Sequence, residues 1–600
     1  MPETEETNSK RFSVVLYISA IIVAMFVAWG ITAPGTLDVA AKSALNWMID
    51  RFGWFYMLVA AFFVLFVISL AISPLGKIKL GKDDEEPEFS WFSWIGMLFA
   101  AGIGVGFVFW GPAEPILHYS NPPVGFEPYS NESAYAGLRY GVFHWALQPW
   151  GIFSLVGLTL AYVQYRLDKP ALISSAFFPL LGDRIHRWPG KTIDILAVIA
   201  TSTGVATTFG LSALQMSGGL SYLTPLENTI WLQIIVIIIV TFCFIISAST
   251  GVDKGIKILS NINLVVAGLL LLFVLALGPT TFILEDMVTT LGGYITNFVK
   301  MSLTLTPLDD NGWLGANTIF FWAWHISWAP FVGLFIARIS KGRTIREFVT
   351  GVLIAPSVLA LIWFTTFGTT ALDVELNGAG GISDIVNQNE ELALFSILSE
   401  LPLGIVTSTL SLILIFIFFI TSADSATFVL GSMTSRGSLN PPLIVKLIWG
   451  ALIAGTASVL LVSGGGGLDA LQTASLIAAL PFGIIMILMV ISLIILLKKD
   501  YNENYRPLHV RPSKSDTASI QEENVEFVAM TGDDTAEFYD KVRDEVYDDV
   551  KEEVKAEVLS EMEDNIQDQF KQSISEEMKS EIMEDIKKDI TDDFDDNNKE

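Results

Sequence analysis

Cysteine is almost missing from this sequence. Of 600 residues only Cys243 is one, so an intrachain disulfide is excluded, and a thiolate metal cage with it. Histidine is scarce too, and the 5 present have neither zincin nor zinc-finger spacing. With no nucleophile–base pair and no metal set in view, an enzyme is not expected. Charge is thin as well. Lys, Arg, Asp and Glu make up 16% of the chain, against about a quarter in ordinary soluble domains. No nucleic-acid partner and no cofactor are expected.

Apolar residues fill that space: they are 52% of the chain, and the mean hydropathy is +0.52. Runs of about 20 such residues read as membrane spans. Twelve occur, near 13–33, 54–73, 92–111, 139–165, 192–222, 229–249, 258–279, 317–339, 346–371, 403–431, 444–463 and 471–497. The first is expected to remain as a helix, because no small-residue cleavage site follows it cleanly. Lys and Arg gather in alternate loops, among them Lys77–Lys82, Arg166–Lys191, Lys254–Lys257, Arg338–Arg346 and Arg436–Lys446. The loops 223–228, 372–402 and 464–470 hold none. The positive-inside rule then places both termini in the cytoplasm of a multi-pass cell-membrane protein.

The segment 284–303 lies between the seventh and eighth spans, with Val288, Leu291, Ile295 and Phe298 at helical spacing. It reads as an amphipathic helix in the interface. The chain therefore divides into a cytoplasmic tail 1–12, two leading spans within 13–91, five spans in 92–283, the interfacial helix, and five more in 317–499. An odd number per set forces opposite topology on the two fives, the arrangement of inverted-repeat transporters. A linker, 500–530, leads to an acidic segment, 531–600. Residues 501–600 carry 31 acidic and 12 basic side chains, so the net charge of −27 belongs mostly to the tail. From Phe538 to Phe594 an apolar residue recurs at every fourth position. That spacing gives a slowly drifting stripe on a long cytoplasmic helix, either a single acidic helix or an oligomerisation or regulatory stalk.

Three spans carry residues that lipid packing does not explain. In "FAAGIGVGFVFWGPAEPI", Gly102, Gly104 and Gly106 each weaken a helix by about 1 kcal/mol. They fit either close helix packing or an unwound helix whose backbone faces a substrate or ion. In "FHWALQPWGIF", Trp145 and Trp150 bracket Pro149, which should kink the helix. In "FWAWHISWAPF", Trp324, His325 and Trp328 share one helix face, and Trp324 lies about 12 Å into the span at the helical rise. Tryptophan usually sits at the membrane boundary. Rings this deep from two spans read as an aromatic cage for a cation, or as packing. Thr421 and Ser422 in "FFITSADSATF" either bond back to their own helix or offer oxygens to a small cation.

Taken together these stretches resemble the betaine–choline–carnitine transporter family over about residues 13–499. The most specific part is "WAWHISWAPFVGLFIARISKGRTIREF". The resemblance implies a LeuT-like core of two inverted five-helix repeats behind two extra helices. It implies a substrate box of Trp145, Trp150, Phe153, Trp324, His325 and Trp328. Phe153 stands where a tyrosine is common, and His325 where a tryptophan is common. A sodium site is implied at Ala100, Ile103, Phe418, Thr421 and Ser422. Of a second sodium site, Thr201 and Phe331 match, whereas Val205 replaces a threonine.

The function implied is sodium symport of a zwitterionic compatible solute for osmotic adaptation, glycine betaine first and ectoine second. His325 can hydrogen-bond a planar amidinium such as ectoine's, or merely fill volume. The alternatives are a proton-coupled or exchange-mode choline/carnitine-type carrier, and a transporter-like osmosensor. The resemblance further implies a membrane-embedded homo-oligomer, a trimer in relatives.

Overall fold

The computed structural model describes residues 13–505 apart from 103, 251–252, 309–311, 439 and 464–467, with the side chains of 101, 248–250 and 253–258 also left out. Ile103 and the whole acidic segment 531–600 thus lie outside the described residues. What is described is helical, save one isolated β-bridge between Lys79 and Thr344.

Two leading helices, α1 (Val14–Thr32) and α2 (Pro34–Ile72), come first. Then follow α3 (Trp91–Gly102), α4 (Val105–Ser120), α5 (Asn131–Trp145), α6 (Leu147–Ala161), α7 (Trp188–Leu223), α8 (Ile230–Thr250) and α9 (Asp253–Leu277). After α10 (Thr280–Leu303) come α11 (Phe320–Ile339), α12 (Ile345–Leu376), α13 (Gly404–Thr434), α14 (Leu443–Ser463) and α15 (Asp469–Asp500). Among the described residues, 11 helical stretches are long and apolar enough to cross a membrane, with α5 and α6 running on as one of them. The pair α3 and α4, bent by 64°, makes a twelfth. The chain is a multi-pass membrane protein.

The second span differs from the sequence reading for a local reason, and two expected interruptions are found. The span expected at 54–73 is only the second half of α2, which starts at Pro34. Proline is pre-organised for a first helical turn. The early turns then carry polar residues, such as the Lys42–Asp38 pair at 3.0 Å, that a hydropathy window discounts. The bend expected from Pro149, between Trp145 and Trp150, lies at Ala146, whose φ and ψ are −94° and −121°. Pro149 has no N–H for the Trp145 carbonyl, so the helix opens upstream of the ring. The third span is interrupted, as the unwound-helix reading of its glycines expects. It parts between Gly102 and Val105, and Gly104 is extended at φ −149° and ψ −172°.

The helix expected at 284–303 begins at Thr280. Its apolar stripe, Val288, Leu291 and Ile295, is exposed, while Asp286, Thr290, Tyr294 and Ser302 are buried. The inward polar face reaches the α5–α6 break. Tyr294 Oη accepts the Leu147 N–H at 3.3 Å, and Gln148 donates to Ser302 at 2.8 Å. An opened helix leaves orphan backbone donors, and α10 satisfies one of them.

The third and fourth spans pack with the eighth and ninth: α4 lies on α5 and α12, and α6 on α11. In the same way α7 and α8 lie on α13 and α14. The α6–α11 crossing is close because it is glycine against glycine. A Cβ on Gly333 would come within 3.1 Å of the Gly157 backbone N, and one on Gly157 within 3.3 Å of the Gly333 carbonyl. Small residues are the usual means of close approach between membrane helices.

The basic loops meet at one end of the bundle. Arg166 grips Asp500 and pairs with Asp83 at 2.6 Å, Arg338 pairs with Glu88 at 2.7 Å, and Lys341 with Glu85 at 2.6 Å. Hydrogen bonds from Arg166, Lys341 and Arg338 hold the carboxyls of Asp83, Glu85 and Glu88 below their ordinary range.

Candidate functional site

A cavity opens at the α3–α4 break. Trp145, Trp150, Phe153, Trp324, His325 and Trp328, the six box residues expected from the sequence, all line it. Trp322 does not line it; it is buried against Phe143 and His144.

Each wall follows from local structure. The break at Ala146 splits the fourth span so that Trp145 ends one helix and Trp150 lies in the first turn of the next. The turns of α11 align Trp324, His325 and Trp328 on one side. The rings meet edge to face, the arrangement their quadrupoles favour. Trp145 and Trp324 lie 5.7 Å apart at 88°, Trp145 and His325 5.4 Å at 90°, and Trp150 and Phe153 5.5 Å at 87°.

The three glycines serve different ends. A Cβ on Gly106 would come within 2.4 Å of Trp145 and 3.3 Å of Trp324, so its bare backbone lets both indoles lie against α4. Gly102 is in ordinary contact with Trp150, and Gly104 faces open space at the break. Beyond it, Val105 and Gly106 place the first turn of α4, with the positive end of its helix dipole, on the cavity.

The polar edges of the rings are tied off behind the wall. Trp324 and Trp328 both donate to the carbonyl of Gly204 on α7, at 3.3 and 2.9 Å. Trp145 donates to Glu114 on α4 at 3.2 Å. Three indoles therefore spend their only donors on protein. His325 differs: its Nδ1 is buried, and it lies against the Phe321 backbone one turn earlier without a well-formed hydrogen bond.

Ser422 on α13 reaches the same cavity. Thr421, next to it, donates to the carbonyls of Ile417 and Phe418 at 3.0 and 3.2 Å. That back-bonding uses the hydroxyl proton and leaves oxygen lone pairs. Phe418 is buried and Ala100 half-buried; Ile103 falls outside the described residues. Of the second expected pair, Thr201 donates to Ala197 at 2.8 Å, and Phe331 meets the Trp328 ring at 5.2 Å. Val205 is buried beside Gly204.

Sequence reasoning missed Gly204, Thr208 and the polar group behind Trp145. Glu114, His118, His144 and Thr318 are each at most 1% exposed. An acid inside a span is itself a functional signal, and "GPAEP" carries one. Gly204 gives no such signal, because its carbonyl matters only through indoles 120 and 124 residues away.

A bundle of apolar spans enclosing a ring-walled cavity at a broken helix defines a membrane carrier for small molecules. The chain belongs to the betaine/carnitine/choline transporter family: the model described as "BCCT, betaine/carnitine/choline family transporter" matches residues 14–502. It is 50% identical over 496 residues to the glycine betaine transporter OpuD of Bacillus subtilis (strain 168), covering 82% of this chain and 96% of that one. It is 47% identical over 486 residues to the ectoine/hydroxyectoine transporter of Virgibacillus pantothenticus, covering 81% and 96%. A probable glycine betaine transporter of Desulfitobacterium hafniense (strain Y51) is 41% identical over 493 residues, covering 82% and 99%. These relatives are transporters, not enzymes.

Proposed function

We propose that this chain imports a zwitterionic compatible solute, glycine betaine first and ectoine second, by sodium symport across the cell membrane during osmotic adaptation. One observation carries the substrate class. The cavity joins a wall in which three of the four indoles, Trp145, Trp324 and Trp328, spend their donors elsewhere to the first turn of α4. Ring faces without free donors suit a cation that offers no hydrogen bonds, worth about 2 kcal/mol or more per desolvated contact. A helix N-terminus suits a carboxylate. The names of two relatives, a glycine betaine transporter and an ectoine/hydroxyectoine transporter, support the same class.

Sodium coupling is supported by Ser422, which lines the cavity at the α3–α4 break, and by the hydroxyl of the adjacent Thr421. The matched packing of the third and fourth spans with the eighth and ninth, and of the fifth and sixth with the tenth and eleventh, suits two inverted repeats rocking about a midplane site. The basic loops gathered at one end favour a cytoplasmic face there. By family resemblance the carrier works as a trimer in lipid.

Competition binding tests the substrate class. Purified carrier should bind radiolabelled glycine betaine, with unlabelled ectoine displacing it and choline, which lacks the carboxylate, displacing it poorly. Displacement by choline as effective as by betaine would remove the zwitterion from the account.

A further inference from the structure

Behind the cage lies a buried hydrogen-bonded chain that the transport reading does not use. Glu114 Oε2 accepts from the Trp145 indole at 3.2 Å. Glu114 Oε1 meets His118 Nε2 at 3.2 Å and lies in short contact with His144 Nδ1. His144 Nε2 in turn meets Thr318 Oγ1 at 2.9 Å. Thr318 sits in a π-helical turn, Gly315–Ile319, that leads into α11. Single π turns re-aim side chains and recur at functional sites.

Ordinary packing does not account for this group. Four polar side chains from three parts of the fold are withdrawn from water, which is costly unless every partner is in place. Here both carboxyl oxygens of Glu114 and both ring nitrogens of His144 have partners. The chain also has a direction. It starts at the head of α11, which carries Trp324, His325 and Trp328, and it ends on Trp145 across the cavity. The N–H edge of Trp145 is held by Glu114 while its six-membered ring lies over Gly106.

We infer that Glu114 is a positioning residue for the substrate cage: it fixes the plane of the Trp145 indole and, through His144 and Thr318, locks that wall to the head of α11. Glu114 does not touch the solute. Its effect is on how well Trp145 presents its face to the cationic head, so it bears on affinity more than on turnover. This rests on the cage reading given above.

The test is sodium-driven betaine uptake into proteoliposomes, with KM and Vmax read separately for Glu114→Ala and Glu114→Gln, each in wild-type and Trp145→Phe backgrounds. Phenylalanine has no N–H to hold. Glu114→Ala should raise KM about three- to tenfold, the range spanned by loss of one buried hydrogen bond, with Vmax little changed. Glu114→Gln keeps an acceptor for the indole and should restore KM to near wild type. In the Trp145→Phe background Glu114→Ala should add no further shift. An equal shift in both backgrounds, or a collapse of Vmax at unchanged KM, overturns the inference.

If Glu114→Ala does not assemble, Thr318→Val tests the same chain from its far end, and its KM shift must likewise vanish with Trp145→Phe. Glu114, His118 and His144 also have the donor set of a two-histidine, one-carboxylate metal site. Loss of uptake in EDTA, with His118→Ala as damaging as Glu114→Ala, would replace positioning by metal binding. If Trp145→Phe alone leaves KM unchanged, the cage reading itself fails. If that variant raises KM and Glu114→Ala does not, only the positioning role fails.

Discussion

Trp145 stands edge-on to Trp324 across the head of α4, with ring centroids 5.7 Å apart and planes at 88°. The contact joins the end of α5 to the second turn of α11 over Gly106, where any side chain would intrude. It makes one wall out of two spans far apart in sequence.

Removing a ring from that wall should weaken binding without unfolding the bundle. Trp145→Leu and Trp328→Leu are each expected to lower solute affinity tenfold or more, since each deletes a desolvated cation–π contact of about 2 kcal/mol. Equilibrium binding of labelled betaine to purified carrier measures this. Near-normal affinity in both variants would mean that the rings are packing alone.

The sodium reading has its own test. With Thr421 and Ser422 both changed to Ala, both hydroxyl oxygens are gone, and a small hard cation loses ligands it requires. Accumulation driven by a sodium gradient should disappear. A double variant that still concentrates solute would place the ion elsewhere.

His325 decides between solutes. Its Nδ1 is the buried polar atom of the cage without a well-formed hydrogen bond. A planar amidinium can use it, whereas a trimethylammonium group cannot. Changing His325→Trp should therefore shift the affinity ratio toward betaine and away from ectoine. A ratio that does not move would reduce His325 to filling volume.

A pH effect is expected in the loop between α12 and α13. Burial and the neighbouring Glu391 push the Glu390 carboxyl up to about 7. An unfolded glutamate titrates near about 4.3. Between those values the folded chain keeps a proton that the unfolded chain has released, so stability falls as pH rises through that window. Above about 7 this group adds no further slope. Thermal melting in detergent from about pH 5 to 8 should show that decline, and Glu390→Gln should flatten it. An identical slope in the variant would assign the effect to other groups.

Much of the site is visible in the sequence because its residues are out of place there. Tryptophans deep in a span, a proline three residues from a helix break and three spaced glycines are each anomalous for a lipid-facing helix. Trp145, Trp150, Trp324, His325 and Trp328 stand out for that reason, whereas Phe153 joins them only through the family resemblance. The remainder depends on contacts made only after folding. The Gly204 carbonyl serves Trp324 and Trp328, yet nothing in "TSTGVATT" distinguishes that glycine. Glu114 lay in plain view between Pro112 and Pro115, but its role appears only where His144 and Thr318 meet it from other helices. The early turns of α2 were lost for a simpler reason: a helix with charged pairs on its surface does not look like a span.

The central claim is sodium-coupled uptake of a zwitterion through the ring-walled cavity. Uptake of radiolabelled betaine and ectoine into proteoliposomes, with and without an inward sodium gradient, tests it most directly. The account predicts accumulation of betaine above its external concentration only when the gradient is present, with ectoine transported less well. Equal accumulation under a proton gradient without sodium, or exchange alone, would contradict it.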